Sequence, residues 1–153
     1  MITVRDVLRD KGNQTWSAFP ETTVFDALKL MAEKNIGALI VLDGETIVGI
    51  FSERDYARKV ILYGKSSKET TLREVMTTEV VSVGPPQSME ECMVLMTEKR
   101  IRHLPVVEEE KLVGMISIGD VVKAIIRDKD FLIRQLEHYI TGTTVESRDP
   151  RTS

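Results

Sequence analysis

Val48-Gly49-Ile50-Phe51-Ser52-Glu53-Arg54-Asp55 and Val113-Gly114-Met115-Ile116-Ser117-Ile118-Gly119-Asp120 are one phrase written twice, 65 residues apart. Each carries Gly-x-x-Ser-x-x-Asp behind a short apolar run. Working outward at the same offset, Leu30-Met31 falls on Leu95-Met96, Glu33-Lys34 on Glu98-Lys99, and Pro20 on Pro85. Residues 14–60 therefore align with 79–125 without a gap. A repeat of this length is one supersecondary unit used twice. Two copies packed about a pseudo-twofold axis make a cleft between them, with a Ser and an Asp on each side.

Each copy reads as strand, helix, strand, strand, helix, an α/β (α+β) fold. Thr23 with Asp26, and Ser88 with Glu91, have the spacing of capping boxes. Val24, Ala27, Leu28 and Met31 follow at helical spacing, as do Met89, Cys92, Met93 and Met96. Cys92 lies on that apolar stripe with no basic neighbour, so it reads as a core residue and not a reactive thiol. Two β-rich runs follow, 38–42 and 47–51, joined through Asp43-Gly44. Their mates are 103–107 and 112–116, joined through Glu108-Glu109-Glu110. Pro105 has no N–H and belongs at an edge or an end of pairing.

A helix closes each copy. Tyr56, Ala57, Val60 and Ile61 make one face of the first, with Gly64 as its stop. The second is longer. Its stripe of Ile118, Val121, Val122, Ile125 and Ile126 continues through Leu132, Ile133, Leu136 and Ile140, with Gly142 as the expected end. Val4-Arg5-Asp6-Val7-Leu8 and Leu72-Arg73-Glu74-Val75-Met76 read as helical lead-ins, each to its own repeat, at an offset of 68. The expected division is a first repeat with its lead-in at 1–65, a linker and second repeat at 66–141, and a polar tail at 142–153.

Neither half of a 153-residue chain would bury much core alone, so the copies should fold as one unit. The composition, 42% hydrophobic and 29% charged, is that of an ordinary globular domain. A net charge of −3 argues against a nucleic-acid surface, and no basic patch interleaved with aromatics accompanies Trp16 or Arg102. No apolar run is long enough for a membrane span, and the first residues lack a signal-peptide core. Cys92 is the single cysteine, which excludes an intrachain disulfide. A cytoplasmic location is the expectation.

The doubled Gly-x-x-Ser-x-x-Asp supports two readings. Ser-x-x-Asp is itself a capping box and would start a helix with no ligand present. The same helix start also offers free N–H groups and a positive dipole end to a phosphate. Its Ser adds a donor, and its Asp accepts from two donors at once, as a ribose 2′,3′-diol would supply. The two roles coexist. No set of His, Cys and carboxylates has metal-ligand spacing, and no Ser-His-Asp set is present in matched positions. With no room for a separate catalytic domain, the chain reads as a non-enzyme. His138 reads as a solvated helix-surface residue. For His103 a structural role at a strand start competes with a phosphate contact.

The paired β-α-β-β-α units resemble the tandem cystathionine β-synthase (CBS) domain pair, or Bateman module. The residues that carry the resemblance are 101–107 with 112–120, and 36–42 with 47–55, plus Val75-Met76-Thr77. The resemblance implies adenosine-nucleotide binding in two clefts. Asp55 and Asp120 would hold ribose hydroxyls, with Ser52 and Ser117 beside ribose or phosphate. Adenine would lie among Thr77, Thr78, Glu79, Ile101 and Arg102 in the Asp55 cleft. In the Asp120 cleft it would lie among Asn13, Gln14, Ile36, Gly37 and Ala38. Arg102 and His103 would sit near phosphates at the centre. The implied ligands are AMP, ADP, ATP or NAD, with AMP or NAD favoured by the few cations noted in the sequence. A homodimer and a regulated protein partner in trans are also implied.

Two departures make the clefts unequal. Gly37-Ala38 stands where the second copy has Arg102-His103, and Gly119 stands where the first has Arg54. Phosphate binding is therefore expected to be stronger on the Asp55 side. The alternative function is a structural or protein-interaction module whose Ser–Asp pairs only cap helices. A third and weaker reading is a small nucleotide hydrolase.

Overall fold

The 65-residue register of the sequence is also the register of the strands. A computed structural model of the chain describes residues 1–141; the tail at 142–153, with Gly142, lies outside the described residues, as do the side chains of Phe131, Leu132, Tyr139 and Thr141. In order, the elements are α1 (Val4–Lys11), β1 (Ser17–Ala18), α2 (Val24–Lys34), β2 (Ala38–Asp43), β3 (Thr46–Ser52) and α3 (Glu53–Asp55). A π-helical segment (Tyr56–Ile61) follows, then α4 (Leu72–Val75), α5 (Met89–Lys99), β4 (His103–Glu108), β5 (Lys111–Ser117) and α6 (Ile118–Thr141). β2 pairs antiparallel with β3 from Ala38↔Ser52 to Asp43↔Thr46, and β4 with β5 from His103↔Ser117 to Glu108↔Lys111. Both hairpins shift register at the same place, after Val41 and after Val106. The irregularity is thus part of the repeated unit.

The first strands differ between the copies. β1 runs parallel to β2 through Ser17↔Ile40 and Ala18↔Val41, whereas the second copy keeps a single parallel bridge, Val83↔Val106. Val83 donates to the Pro105 carbonyl at 3.0 Å and accepts from the Val107 N–H at 2.9 Å. Pro105 stands at the position of Ile40 and has no N–H with which to extend that pairing.

The caps follow the sequence with one exception. Ser88 and Glu91 form the full reciprocal box, but Thr23 accepts from the Asp26 N–H without a returned bond. After Asp55 the helix widens, with Leu62 N–H donating to the Ala57 carbonyl at 3.2 Å and Lys65 N–H to Val60 at 2.9 Å. The extra residue in the turn rotates the expected face. Val60 is buried and Tyr56 half-buried, while Ala57 is exposed and Ile61 is 55% exposed. Gly64, at φ 66, follows this segment.

Two cores form, and the lead-ins are exchanged between them. Val4 and Val7 of α1 pack with Met89, Cys92, Met96, Leu104 and Ile116 of the second copy. Leu72 and Val75 of α4 pack with Val24, Met31, Leu39, Phe51 and Val60 of the first. The expectation that each lead-in serves its own repeat is corrected: each completes the other. The backbone bonds that do this come in symmetric pairs. Val4 N–H donates to Gln87 at 2.8 Å and Leu72 N–H to Thr22 at 2.9 Å; Arg5 donates to Pro85 and Arg73 to Pro20, both at 2.9 Å. Short amphipathic helices are marginal alone and take their stability from the surface they cover. The packing therefore crosses the boundary expected at 65/66.

Candidate functional site

The glycines of the doubled phrase are explained by this exchange. A Cβ on Gly49 would lie 2.6 Å from Met76 Sδ and 3.0 Å from the Thr77 carbonyl oxygen; one on Gly114 would lie 2.7 Å from Leu8 Cδ2. Leu8 and Met76 are equivalent lead-in positions. Each glycine lets a lead-in close on a strand, which brings the residues that follow it to the start of the next helix.

At the first such start, Ser52 and Asp55 form the reciprocal capping box. Asp55 Oδ2 accepts from the Ser52 N–H at 2.9 Å and from Ser52 Oγ at 3.1 Å. Its Oδ1 accepts from Thr77 Oγ1 at 2.9 Å and pairs with Lys59 Nζ at 3.1 Å. Lys59 also donates to the Val75 carbonyl at 3.1 Å and to Thr77 Oγ1 at 3.3 Å. Asp55 is only 7% exposed, and four contacts from Ser52, Thr77 and Lys59 hold its carboxylate in place.

The second start has different partners. Asp120 Oδ2 accepts from the Ser117 N–H at 2.9 Å and from Lys11 Nζ at 2.7 Å. Lys11 belongs to α1 and also donates to the Met115 carbonyl at 3.0 Å. Burial pushes the Asp120 carboxyl up, but the bonds from Lys11 and Ser117 outweigh it and hold the group below the usual carboxylate range.

A cavity of about 780 Å³ opens on the Asp55 side. It brings together Gly37, Ser52, Arg54, Asp55, Thr77, Glu79, Ile101, Arg102 and His103, all singled out in the sequence. Thr78 is exposed and does not line it, nor do Asn13, Gln14, Ile36, Ala38, Ser117 or Asp120. Asn13 and Gln14 are exposed beyond α1, and Ala38 is buried at the start of β2. Three cations that the sequence reading did not single out also reach the cavity: Arg58, Lys99 and Arg100. Arg58 shares a helix face with Arg54, which was a usable signal. Arg100 is placed by its left-handed backbone, φ 55, at the end of α5, which no spacing rule reveals. Arg54 Nη1 donates to the Arg100 carbonyl at 2.6 Å, so two of these cations are tied together.

The lining thus carries five cationic side chains, Arg54, Arg58, Lys99, Arg100 and Arg102, against the carboxylates of Glu53, Asp55 and Glu79. The expectation of few cations is corrected on this side. His103 is held below its ordinary pKa by burial, with Glu53 and Asp120 opposing and Arg102 and Lys11 reinforcing. The thiol of Cys92 is pushed up to about 11 by burial and by Glu91, and is inert in the second core. Among the described residues no group of three or more His, Cys, Asp or Glu could hold a metal ion. No described helix is long and apolar enough to cross a membrane.

Comparison with known proteins agrees with this architecture. The CBS domain family model matches residues 15–61 and 72–127. A CBS domain-containing protein of Arabidopsis thaliana, named as mitochondrial, is 39% identical over 149 residues, covering 92% of this chain and 72% of that one. A solved CBS-domain protein from Burkholderia ambifaria is 54% identical, with a TM-score of 0.80, covering 83% of this chain and 96% of that one. A CBS domain pair solved in complex with 5′-methylthioadenosine and S-adenosyl-L-methionine shares the fold, with a TM-score of 0.72 at 24% identity, covering 81% of this chain and 99% of that one.

Proposed function

The chain belongs to the CBS domain family, as a tandem pair, and on that premise we propose that it is a regulatory module that binds an adenosine nucleotide beside Asp55. The observation that carries this reading is the cavity itself. A rigid carboxylate lies at its wall, and five cations gather around the same space. A ribose diol would share Asp55 Oδ1 with, or take it from, Thr77 Oγ1 and Lys59. Ile101 and Pro105 supply apolar surface for a base. Arg54, Arg58, Arg100 and Arg102 suit phosphate oxygens, which guanidinium groups bind through charge-assisted bonds.

The solved pair that binds adenosyl compounds supports the class of ligand. The charge around this chain's cavity favours a phosphorylated adenosine over a sulfonium. Two or more phosphates, as in ADP, ATP or NAD, match the cations better than the one of AMP. Occupancy would be read by a protein partner in trans. The exposed stripe of Val122, Ile126, Ile133, Leu136 and Ile140 on α6, with Ile61, Leu62 and Tyr63, is where we place a homodimer contact. The same chemistry serves a cytoplasmic module or one held in a mitochondrion, as the Arabidopsis relative is named.

Calorimetry with adenosine, AMP, ADP, ATP, NAD and S-adenosylmethionine tests the reading. Affinity should rise with phosphate number, and S-adenosylmethionine should bind weakest. Absence of binding at millimolar ligand would favour the alternative, a structural module, for which the closed capping boxes at Ser52–Asp55 and Ser117–Asp120 already provide a sufficient use.

A further inference from the structure

The two aspartates of the doubled phrase each hold a lysine, but the lysines come from different places. At Asp55 the ammonium is Lys59, one turn on along the same helix, and it does not line the cavity. The matching position in α6 is Ala124, which is buried and brings no charge. Asp120 instead receives Lys11 from 109 residues away in sequence. Lys11 is the last residue of α1, and Gly12 follows it at φ 93. The other lead-in reaches its repeat three residues sooner and has no counterpart of Lys11; it brings Thr77, and then Glu79 (the mate of Gln14), to the open cavity beside Asp55. One lead-in therefore brings a hydroxyl to its aspartate at an open cleft, and the other brings an ammonium directly onto the aspartate.

We infer that Lys11 occupies the place of a ribose diol on Asp120, so that the second cleft accepts a nucleoside only when the end of α1 lets go. This rests on the nucleotide reading of the Asp55 cleft. The ammonium gives Asp120 Oδ2 one donor at 2.7 Å, in the place of one ribose hydroxyl, and a second bond to the Met115 carbonyl at 3.0 Å holds it across the approach of the other. The side chains are 37% and 19% exposed, so Lys11 can return to water at modest cost. The latch is therefore reversible, and it sets a threshold. The segment that must move also carries Asn13 and Gln14. Leu8, one turn earlier, sits against Gly114 on β5, so release of Lys11 loosens the last turn of a helix that belongs to the second core. The clefts fill in order, Asp55 first. Only the second filling changes α1.

ADP titration by calorimetry and equilibrium dialysis tests this on the full chain, with Lys11→Met, Lys11→Arg and Asp55→Asn/Lys11→Met beside it. The native protein and Lys11→Arg should bind one ADP per chain at micromolar concentration. Lys11→Met, which keeps the aliphatic stem, should bind a second with affinity roughly tenfold tighter than the native second site. The double variant should bind ADP at the second cleft alone. One site in the native protein with no added site in either Lys11→Met background overturns the latch and leaves the nucleotide reading standing. No ADP bound by any of the four overturns both. Should Lys11→Met fail to fold, amide exchange in the native protein decides. Protection of residues 9–12 should fall as the second ADP binds; unchanged protection there overturns the latch.

Discussion

Asp55 and Asp120 occupy the same place in two copies of one fold, yet Asp55 lines the cavity of about 780 Å³ and Asp120 does not. The two hairpins, their register shift and the glycine that opens each motif repeat. The residues arriving from outside the repeat do not. Lys11 reaches Asp120 from one lead-in, while Thr77 comes to Asp55 from the other. The repeated unit supplies the frame, and the exchanged lead-ins set the character of each cleft.

The sharpest way to break the comparison is at the aspartates. Asp55→Asn should weaken ADP by about 10- to 150-fold, the worth of a charged hydrogen-bonding group. Asp120→Asn should leave the first ADP unaffected. Calorimetry with thermal melts alongside separates lost binding from lost folding. Equal losses at both positions would mean that the clefts are equivalent.

The glycines sharpen it next. Gly49→Ala and Gly114→Ala should each cost about 1–3 kcal/mol in stability by overpacking. Gly49→Ala should be the worse, because a backbone carbonyl, that of Thr77, stands 3.0 Å from the new carbon as well as Met76. At Gly114 the three nearest atoms all belong to the flexible Leu8 side chain. Urea unfolding midpoints decide, and the reverse order would show that Met76 and Thr77 give way more easily than Leu8.

Smaller effects lie in the charges. Arg58→Ala should weaken ATP by about two- to fivefold, as expected for an exposed charge, and adenosine not at all. The difference should shrink in high salt. Lys123, at the matching position of α6, should show no such effect.

The least effect is one of pH. Burial lowers the pKa of His103, while Glu53 and Asp120 oppose this and Arg102 and Lys11 reinforce it. A phosphate nearby would raise that pKa, so the complex takes up a proton and affinity should increase as pH falls below the ordinary histidine range. The stability that His103 contributes runs the other way. It is present above the unfolded pKa and is lost as pH falls, because the unfolded chain then binds more protons. His103→Asn should remove both slopes and leave those of the phosphate itself.

The repeat was legible because both copies keep the same side-chain periodicity over an unbroken offset. Hydrophobic pattern and turn residues suffice for that. The exchange of lead-ins was not legible from pattern. Val4, Val7 and Leu8 announce an apolar face, but nothing in them says which core it covers. The family resemblance did pair Thr77 with Asp55, which the exchange explains. Arg100 was missed because a left-handed residue at a helix end redirects the chain in a way that spacing does not encode. Lys11 was missed because a lysine at the end of a short helix is ordinarily a partner for the helix dipole. Its actual partner lies 109 residues further along.

The paired bonds at Val4/Leu72 and Arg5/Arg73 have a consequence for ancestry. Each half of the chain completes its partner with an arm carried ahead of its own body. If the gene were cut between the copies, two such halves would still fit together by trading arms. A single ancestral copy could therefore have existed as an arm-swapped pair of identical chains, with fusion adding only a tether. Fusion also freed the two arms to diverge, one a two-turn helix that ends in Lys11 and the other a single turn that ends in Val75.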